Sequence, residues 1–423
     1  MRRPLGGTHI RLLVIGLAAA LVLTACSDNS SDTAAPVTCA EIPNGEHIAP
    51  SSPQTSAPTD ISTNPEVATG YRTGMRAVTT STFAAATANP LATQAACEVL
   101  RDGGTAADAL VVAQLVLGLV EPQATGIGGG AFALYYDAAS NSVRAFDGRE
   151  TAPAAATENY LRYISATDRT EPRPSARGSG RSIGVPGAMR MLEMIHQQYG
   201  RTGWRQLFDP AIMLADNGFD ISPRLAAAIA ASARDLAPDP DAHAYFLNPD
   251  GSPKTTGTRL TNPAYAKTLG ALATDGAGAL YRGPIAEAIV AKATSTANGM
   301  TPSLMTTADL AGYQAKVREP VSITYRGHQI IGMPGPSSGG IAVASALGIL
   351  SNFDLPSMRP TDVDRNGGRP DPAAVHLINE AERLAYADRD KYVADPDFVP
   401  LPGRGVATPV SYTHLTLPTS DLV

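Results

Sequence analysis

Four clusters of residues have types and spacings that could do chemistry. Gly126-Ile127-Gly128-Gly129-Gly130-Ala131 matches a relaxed dinucleotide fingerprint. That fingerprint needs a strand before it and a helix after it, so that a helix N-terminus meets the pyrophosphate. Here a helical pattern precedes and a strand pattern follows, so close backbone packing at a sharp turn is the favoured reading. Gly335-Pro336-Ser337-Ser338-Gly339 fits a G-x-S-x-G nucleophile elbow, with Asp364, Asp371 and His376 in triad order behind it. The stretch from Ser337 to His376 is short for such a triad, and His376 sits in a helical pattern. Asp147-Gly148-Arg149-Glu150 lies just past a strand, where an Arg is well placed to clamp a carboxylate with its planar fork. From spacing alone, a structural salt bridge or an exposed Arg is the plainer reading of Arg149. Glu380, Glu382, Arg383, Asp388 and Arg389 crowd one helix and read as a solvated, ion-paired face. No HExxH is present and the 7 His are scattered, which argues against a metal hydrolase.

The elements that must position these residues follow from pattern and punctuation. Asn89-Pro90 opens a helix running to Arg101, with Asn as cap and Pro at the first position, and Gly103-Gly104 closes it. Ala106 to Val120 is a second helix, apolar all round and therefore buried, ended by Glu121-Pro122. Ala131 to Tyr136 and Val143 to Phe146 pair as strands. Helical pattern dominates from Gly187 to about Val290. Val321 to Tyr325 and Gln329 to Met333 form a second hairpin, turning at Arg326-Gly327. Ala342 to Leu350 and Ala373 to Tyr392 are helices, with a Pro/Gly/Asp-rich loop from Pro356 to Pro372 between them. Helices mixed with hairpins predict a layered α/β (α+β) architecture rather than a doubly wound parallel sheet.

The chain has 423 residues, 43% of them hydrophobic, enough for one large domain or two ordinary ones. The net charge of −6, without Lys/Arg clusters, gives no electrostatic reason to expect nucleic-acid binding. Arg2, Arg3 and Arg11 precede an apolar run, Leu12 to Leu23, that is too short to span a membrane well. Leu23-Thr24-Ala25-Cys26 resembles a bacterial lipobox. Residues 1–25 are therefore expected to be a signal peptide, with Cys26 lipidated and the protein exported and anchored at the cell envelope. Residues 26–74, rich in Ser, Thr and Pro, read as a flexible tether, with order beginning near Met75. An exported compartment permits a disulfide between Cys39 and Cys97, and free thiols stay open as the alternative. No spacing resembles a zinc site, and no cofactor is expected.

Taken together, the motifs resemble the γ-glutamyltransferase family. Asn89-Pro90-Leu91-Ala92-Thr93 and Gly103-Gly104-Thr105-Ala106-Ala107-Asp108 match its opening. Glu121 to Gly130, Phe146-Asp147-Gly148-Arg149-Glu150-Thr151-Ala152-Pro153 and Gly184-Val185-Pro186-Gly187 follow. So do Tyr281 to Ala286, Asp309-Leu310-Ala311-Gly312-Tyr313, Pro336 to Gly340, Ala385 to Arg389 and Asp395-Pro396-Asp397-Phe398. The resemblance covers about Ala77 to Pro400, in order, and assigns residues 75–409 to the family's large subunit. It implies the N-terminal nucleophile hydrolase fold, an αββα sandwich that is incomplete here because the small-subunit part is missing. It implies a precursor that cuts itself, freeing a Thr whose hydroxyl attacks a γ-glutamyl amide with its own α-amine as base. The acyl group then passes to water or to an amino acid or peptide acceptor, glutathione being the default donor. The resemblance makes Arg149 the clamp for the donor's α-carboxylate and reads Ser337 to Gly340 as local architecture.

The sequence departs from the pattern at Asn89, where the family usually has His, and at Gly335, where Pro is common. From about Val410 the departure is larger. Thr413-His414 imitates the small subunit's start but comes too early, so no catalytic residue is assigned and the nucleophilic Thr is expected beyond the chain end. Residues 410–423 read as a tail foreign to the family, and a truncated or misassembled frame is the expected cause. Expressed as written, the chain is expected to be inactive and aggregation-prone, with apolar sheet faces exposed. Three alternatives stand beside the leading reading: an acylase of the cephalosporin or glutaryl type, a serine hydrolase using Ser337, and a non-catalytic lipid-anchored binding protein. Arg149 leans toward a γ-glutamyl group.

Overall fold

The computed structural model describes Cys39, residues 80–364 and residues 367–399. The proposed signal peptide, Cys26, the tether apart from Cys39, the onset of order near Met75 and the tail lie outside the described residues.

Helix α1 (Pro90–Arg101) begins as its cap dictates, with the Asn89 side chain accepting the Leu91 N–H. Helix α2 (Ala106–Val120) starts on a capping box in which Thr105 and Asp108 satisfy each other's backbone donors. Its Val111, Val112, Leu115, Val116 and Leu119 are buried, so it is the spine of the main core. Each such side chain contributes on the order of 1.5–3 kcal/mol relative to exposure. Asp108 also accepts the N–H groups of Arg201 and Thr202, both at its Oδ2, at 3.0 and 3.1 Å. One buried carboxylate thus ties the start of α2 to the loop after helix α3 (Ala188–Tyr199).

Between them, strands β1 (Ala131–Asp137) and β2 (Ser142–Gly148) form an antiparallel hairpin from Ala131↔Gly148 to Asp137↔Ser142. One face packs Ala133, Tyr135 and Phe146 toward α3. The other face of β1 carries Phe132, Leu134 and Tyr136 to the surface. Helices α4 (Asp209–Asn217), α5 (Pro223–Leu236), α6 (Pro240–Phe246), α7 (Pro263–Asp275), α8 (Gly278–Tyr281) and α9 (Pro284–Ala293) follow. A two-residue ladder, β3 (Phe219–Asp220) with β4 (Arg259–Leu260), lies among them. Leu269 and Leu272 of α7 complete the core around α2.

After α10 (Thr307–Gly312), the short strand β5 (Lys316–Arg318) adds to β2, making the sheet order β1-β2-β5. The sequence reading contains no strand at β5. Three residues flanked by Pro320 are too short for a period-2 signal, and their pairing is long-range. Strands β6 (Val321–Tyr325) and β7 (His328–Gly332) pair around Arg326 and Gly327, both at positive φ, as a two-residue hairpin requires. Helix α11 (Gly339–Leu350) packs on this hairpin, and α12 (Pro372–Tyr392) packs on α11 through Ile349, Leu350 and Ala381. The expected loop from Pro356 to Pro372 instead holds a small hairpin, β8 (Thr361–Asp364) with β9 (Gly367–Arg369). Cys39 and Cys97 are joined in a disulfide, their Cα atoms 5.8 Å apart.

Candidate functional site

Strand β2 delivers Arg149 to the surface just past its last residue. Gly148 permits this: a Cβ there would lie 2.5 Å from the Met191 Cβ of α3. Asp147 is buried, and its two oxygens do different work. Oδ1 accepts the Arg149 N–H at 3.0 Å. Oδ2 accepts the Nε–H of Arg318, brought alongside by β5, at 2.7 Å. Arg318 in turn donates through Nη2 to Asp397, which also receives Lys316 Nζ at 2.6 Å. The hydrogen bonds from Arg318 and then Lys316 hold the Asp397 carboxyl well below the usual carboxylate range.

The carbonyl of Arg149 is held as well. Tyr313 donates its hydroxyl to it at 2.8 Å. Tyr313 is buried and stacked on Tyr281, with ring centroids 5.8 Å apart. Burial pushes its phenol well above the ordinary range, so it stays a donor at every physiological pH. The Arg149 guanidinium itself is exposed and donates from Nη1 to the Pro336 carbonyl at 2.8 Å. The strand-end motif and the Gly-Pro-Ser-Ser-Gly turn, 187 residues apart, therefore meet.

Ser337 does not acquire a triad. Its Oγ accepts the Gly339 N–H at 3.3 Å, and no described His or carboxylate side chain reaches it. Asp371 caps α12 by accepting the Ala373 and Ala374 N–H groups, and His376 is exposed on that helix. Ser338 Oγ meets Arg389 Nε at 3.2 Å. Gly340 lets α11 start hard against β7: a Cβ on Gly332 would lie 2.6 Å from the Gly340 Cα. The segment packs beneath Arg149, whose Nη1 it receives at the Pro336 carbonyl. The α12 face is ion-paired as expected, through Glu380–Arg383 and Arg389–Asp390.

The glycine turn lies between helix α2 and strand β1, so no helix N-terminus follows it to meet a pyrophosphate. The Gly129 carbonyl accepts the N–H groups of both Gly187 and Ala188 at 3.0 Å. Crowding explains Gly130, whose Cβ would lie 2.4 Å from Glu150 Oε2, but not Gly126 or Gly128, which have open space. Close packing at this turn is therefore confined to part of the motif. Asn89 at the departure position is satisfied, with Nδ2 donating to the buried Glu121 at 2.9 Å. Glu121 also receives Gln123 and Arg224 at 2.6 and 3.3 Å. Among the described residues no group of His, Cys, Asp or Glu could hold a metal ion. Sequence reasoning identified Arg149 but gave no role to Asp147, Tyr313, Arg318 or Asp397. Asp147, Tyr313 and Asp397 stood inside family motifs. Arg318 carried no signal.

Helices packed with short antiparallel sheets place the chain in the α+β class. The γ-glutamyltranspeptidase family model matches residues 92–414, and the chain belongs to that family. It is 35% identical over 324 residues to the glutathione hydrolase proenzyme of Bacillus subtilis (strain 168), covering 77% of this chain and 52% of that protein. It is 36% identical over 327 residues to the acylase ACY 1 proenzyme of Pseudomonas sp. (strain SE83), covering 75% and 54%. The crystal structure of Helicobacter pylori γ-glutamyltranspeptidase superposes with a TM-score of 0.72 at 33% identity, covering 80% of this chain and 91% of that one. The fold is that of the N-terminal nucleophile hydrolases. The chain spans about half the length of the curated relatives it matches.

Proposed function

We propose that this chain is the donor-recognising part of a γ-glutamyl transferase or hydrolase acting on γ-glutamyl amides such as glutathione. The observation that carries the reading is Arg149, an exposed guanidinium whose backbone is fixed on both sides, by Asp147 at its N–H and by Tyr313 at its carbonyl. A γ-glutamyl donor presents a free α-carboxylate, and a guanidinium meets a carboxylate with two parallel hydrogen bonds. Pre-fixing the backbone lowers the ordering cost of that contact. The reaction is acyl transfer. A Thr hydroxyl attacks the γ-carbonyl, the freed amine leaves with the hydroxyl's proton, and water or an amino acid releases the acyl group. That Thr is taken to begin a separate small subunit, after the Asp-Pro-Asp-Phe segment in the family's order. The exposed Phe132, Leu134 and Tyr136 offer that subunit an apolar face.

A second reading, acylase activity, is favoured by the Pseudomonas acylase relative. A glutaryl group carries the same terminal carboxylate without the α-amine, so Arg149 serves either donor. Calorimetric titration with L-glutamate and with glutarate separates them. L-Glutamate is expected to bind, and Arg149→Ala to weaken it about tenfold or more. Unchanged binding in that variant would sink the clamp. Preference for glutarate would transfer the assignment to the acylase. Turnover of γ-glutamyl-p-nitroanilide by protein carrying the whole reading frame tests the chemistry.

The protein is further proposed to be exported and lipid-anchored through Cys26. The basic start, the apolar run and the lipobox support this, and so does the Cys39–Cys97 disulfide, a bond that persists in oxidising compartments. Cys26→Ser should move the protein from the membrane to the soluble fraction. Retention at the membrane would count against the anchor.

A further inference from the structure

We propose that the excursion between Thr151 and Val185 carries a second ligand site, for an acidic peptide segment, in a hollow walled by Arg162, Arg169 and Arg177. The excursion is closed at its base by the Thr151↔Val185 bridge, with the Val185 N–H donating to the Thr151 carbonyl at 2.8 Å. Its interior is pinned. Buried Arg181 donates through Nη2 to the Ile164 carbonyl at 2.8 Å and lies 4.4 Å from the Tyr160 ring centroid. The Arg173 N–H donates to Thr301 Oγ1 at 2.9 Å, and the Tyr160 and Ser303 hydroxyls share a hydrogen bond at 3.1 Å. The hollow is therefore built in advance of any ligand.

Its walls hold three exposed guanidiniums and one carboxylate, Glu171. None of these four groups makes an ion pair with any described residue. Arg169 merely stands 6.0 Å from the Tyr163 ring centroid. The chain as a whole carries a net charge of −6, yet residues 161–181 hold five arginines against two carboxylates. Like charges facing one concavity repel each other and focus a positive potential, which an anion relieves. The guanidinium fork suits carboxylates, and exposed Leu161 with Tyr163 adds an apolar wall that a bare inorganic ion would not use. An extended peptide bearing several carboxylates matches both features. This site does not depend on the Arg149 reading, because a ligand held there need not reach the clamp.

The test is fluorescence anisotropy of labelled tri-aspartate, with unlabelled tri-alanine and inorganic phosphate as competitors. The parent is compared with the triple variant Arg162→Gln/Arg169→Gln/Arg177→Gln and with Arg149→Ala. All three glutamines replace exposed side chains, so an unchanged melting temperature is the control for folding. Expected are binding that weakens about tenfold or more in the triple variant and in about 0.5 M salt, and persists in Arg149→Ala. Absence of binding, equal affinity in the triple variant, displacement by tri-alanine, or displacement by phosphate as effective as by unlabelled tri-aspartate would each overturn the assignment.

Discussion

Tyr313 donates its hydroxyl to the carbonyl of Arg149 at 2.8 Å, across 164 residues of sequence. Together with Asp147, it clamps the residue that is proposed to clamp the donor. Tyr313→Phe keeps the ring stacked on Tyr281 and removes this one bond. Stability should fall by about 1 kcal/mol in urea unfolding, and affinity for L-glutamate should weaken about threefold to tenfold. A stability loss with unchanged affinity would make Tyr313 a purely structural residue.

Acid should unfold the protein partly through Asp108. Burial opposes its ionisation, but the N–H groups of Thr105, Arg201 and Thr202 outweigh it and hold the carboxyl below its ordinary value. A depressed folded value means stabilisation that is complete above the unfolded value, about pH 4, and is lost as pH falls through the folded one. Asp397, depressed by Arg318 and Lys316, acts in the same direction. Asp108→Asn should cost about 1–3 kcal/mol near neutrality and flatten the decline below about pH 4. Thermal melts at a series of pH values check both effects, and a parallel decline in the two proteins would refute the assignment.

Two glycines in neighbouring motifs should behave oppositely. A Cβ on Gly187 would lie 2.2 Å from both the Gly148 carbonyl oxygen and the Tyr313 hydroxyl. Gly187→Ala should therefore destabilise by about 3 kcal/mol or more and displace Arg149. A Cβ on Gly126 meets nothing within 4 Å, so Gly126→Ala should stay within about 0.5 kcal/mol. Denaturant unfolding of the pair measures the contrast.

The disulfide closes a sequence separation of 58 residues. In the chain-entropy picture, a loop of that size is worth up to about 4 kcal/mol. Alkylation of denatured, unreduced protein should leave Cys39 and Cys97 unlabelled, and Cys97→Ser should lower the melting temperature. Labelling of either thiol in the parent would contradict the pairing.

Sequence by itself determined the local elements. Asn89-Pro90 fixed the start of α1, Glu121-Pro122 the end of α2, and Arg326-Gly327 the turn of β6–β7, because caps, prolines and positive-φ turns act through neighbouring residues. Ordered motifs also pointed to the family and to Arg149. What surrounds Arg149 was decided by tertiary structure alone. β5 lies well over a hundred residues from β2 in sequence, and its three residues have no periodicity to read, so the Asp147–Arg318 pair was invisible. The pairing of Cys39 with Cys97 was likewise open, since two cysteines in sequence carry no distance. Ser337 fitted a nucleophile-elbow pattern, kept only as an alternative, because a motif records a turn and not what stands beside it. Local rules specify the backbone of each element, whereas long-range packing chooses the neighbours that give a side chain its chemistry.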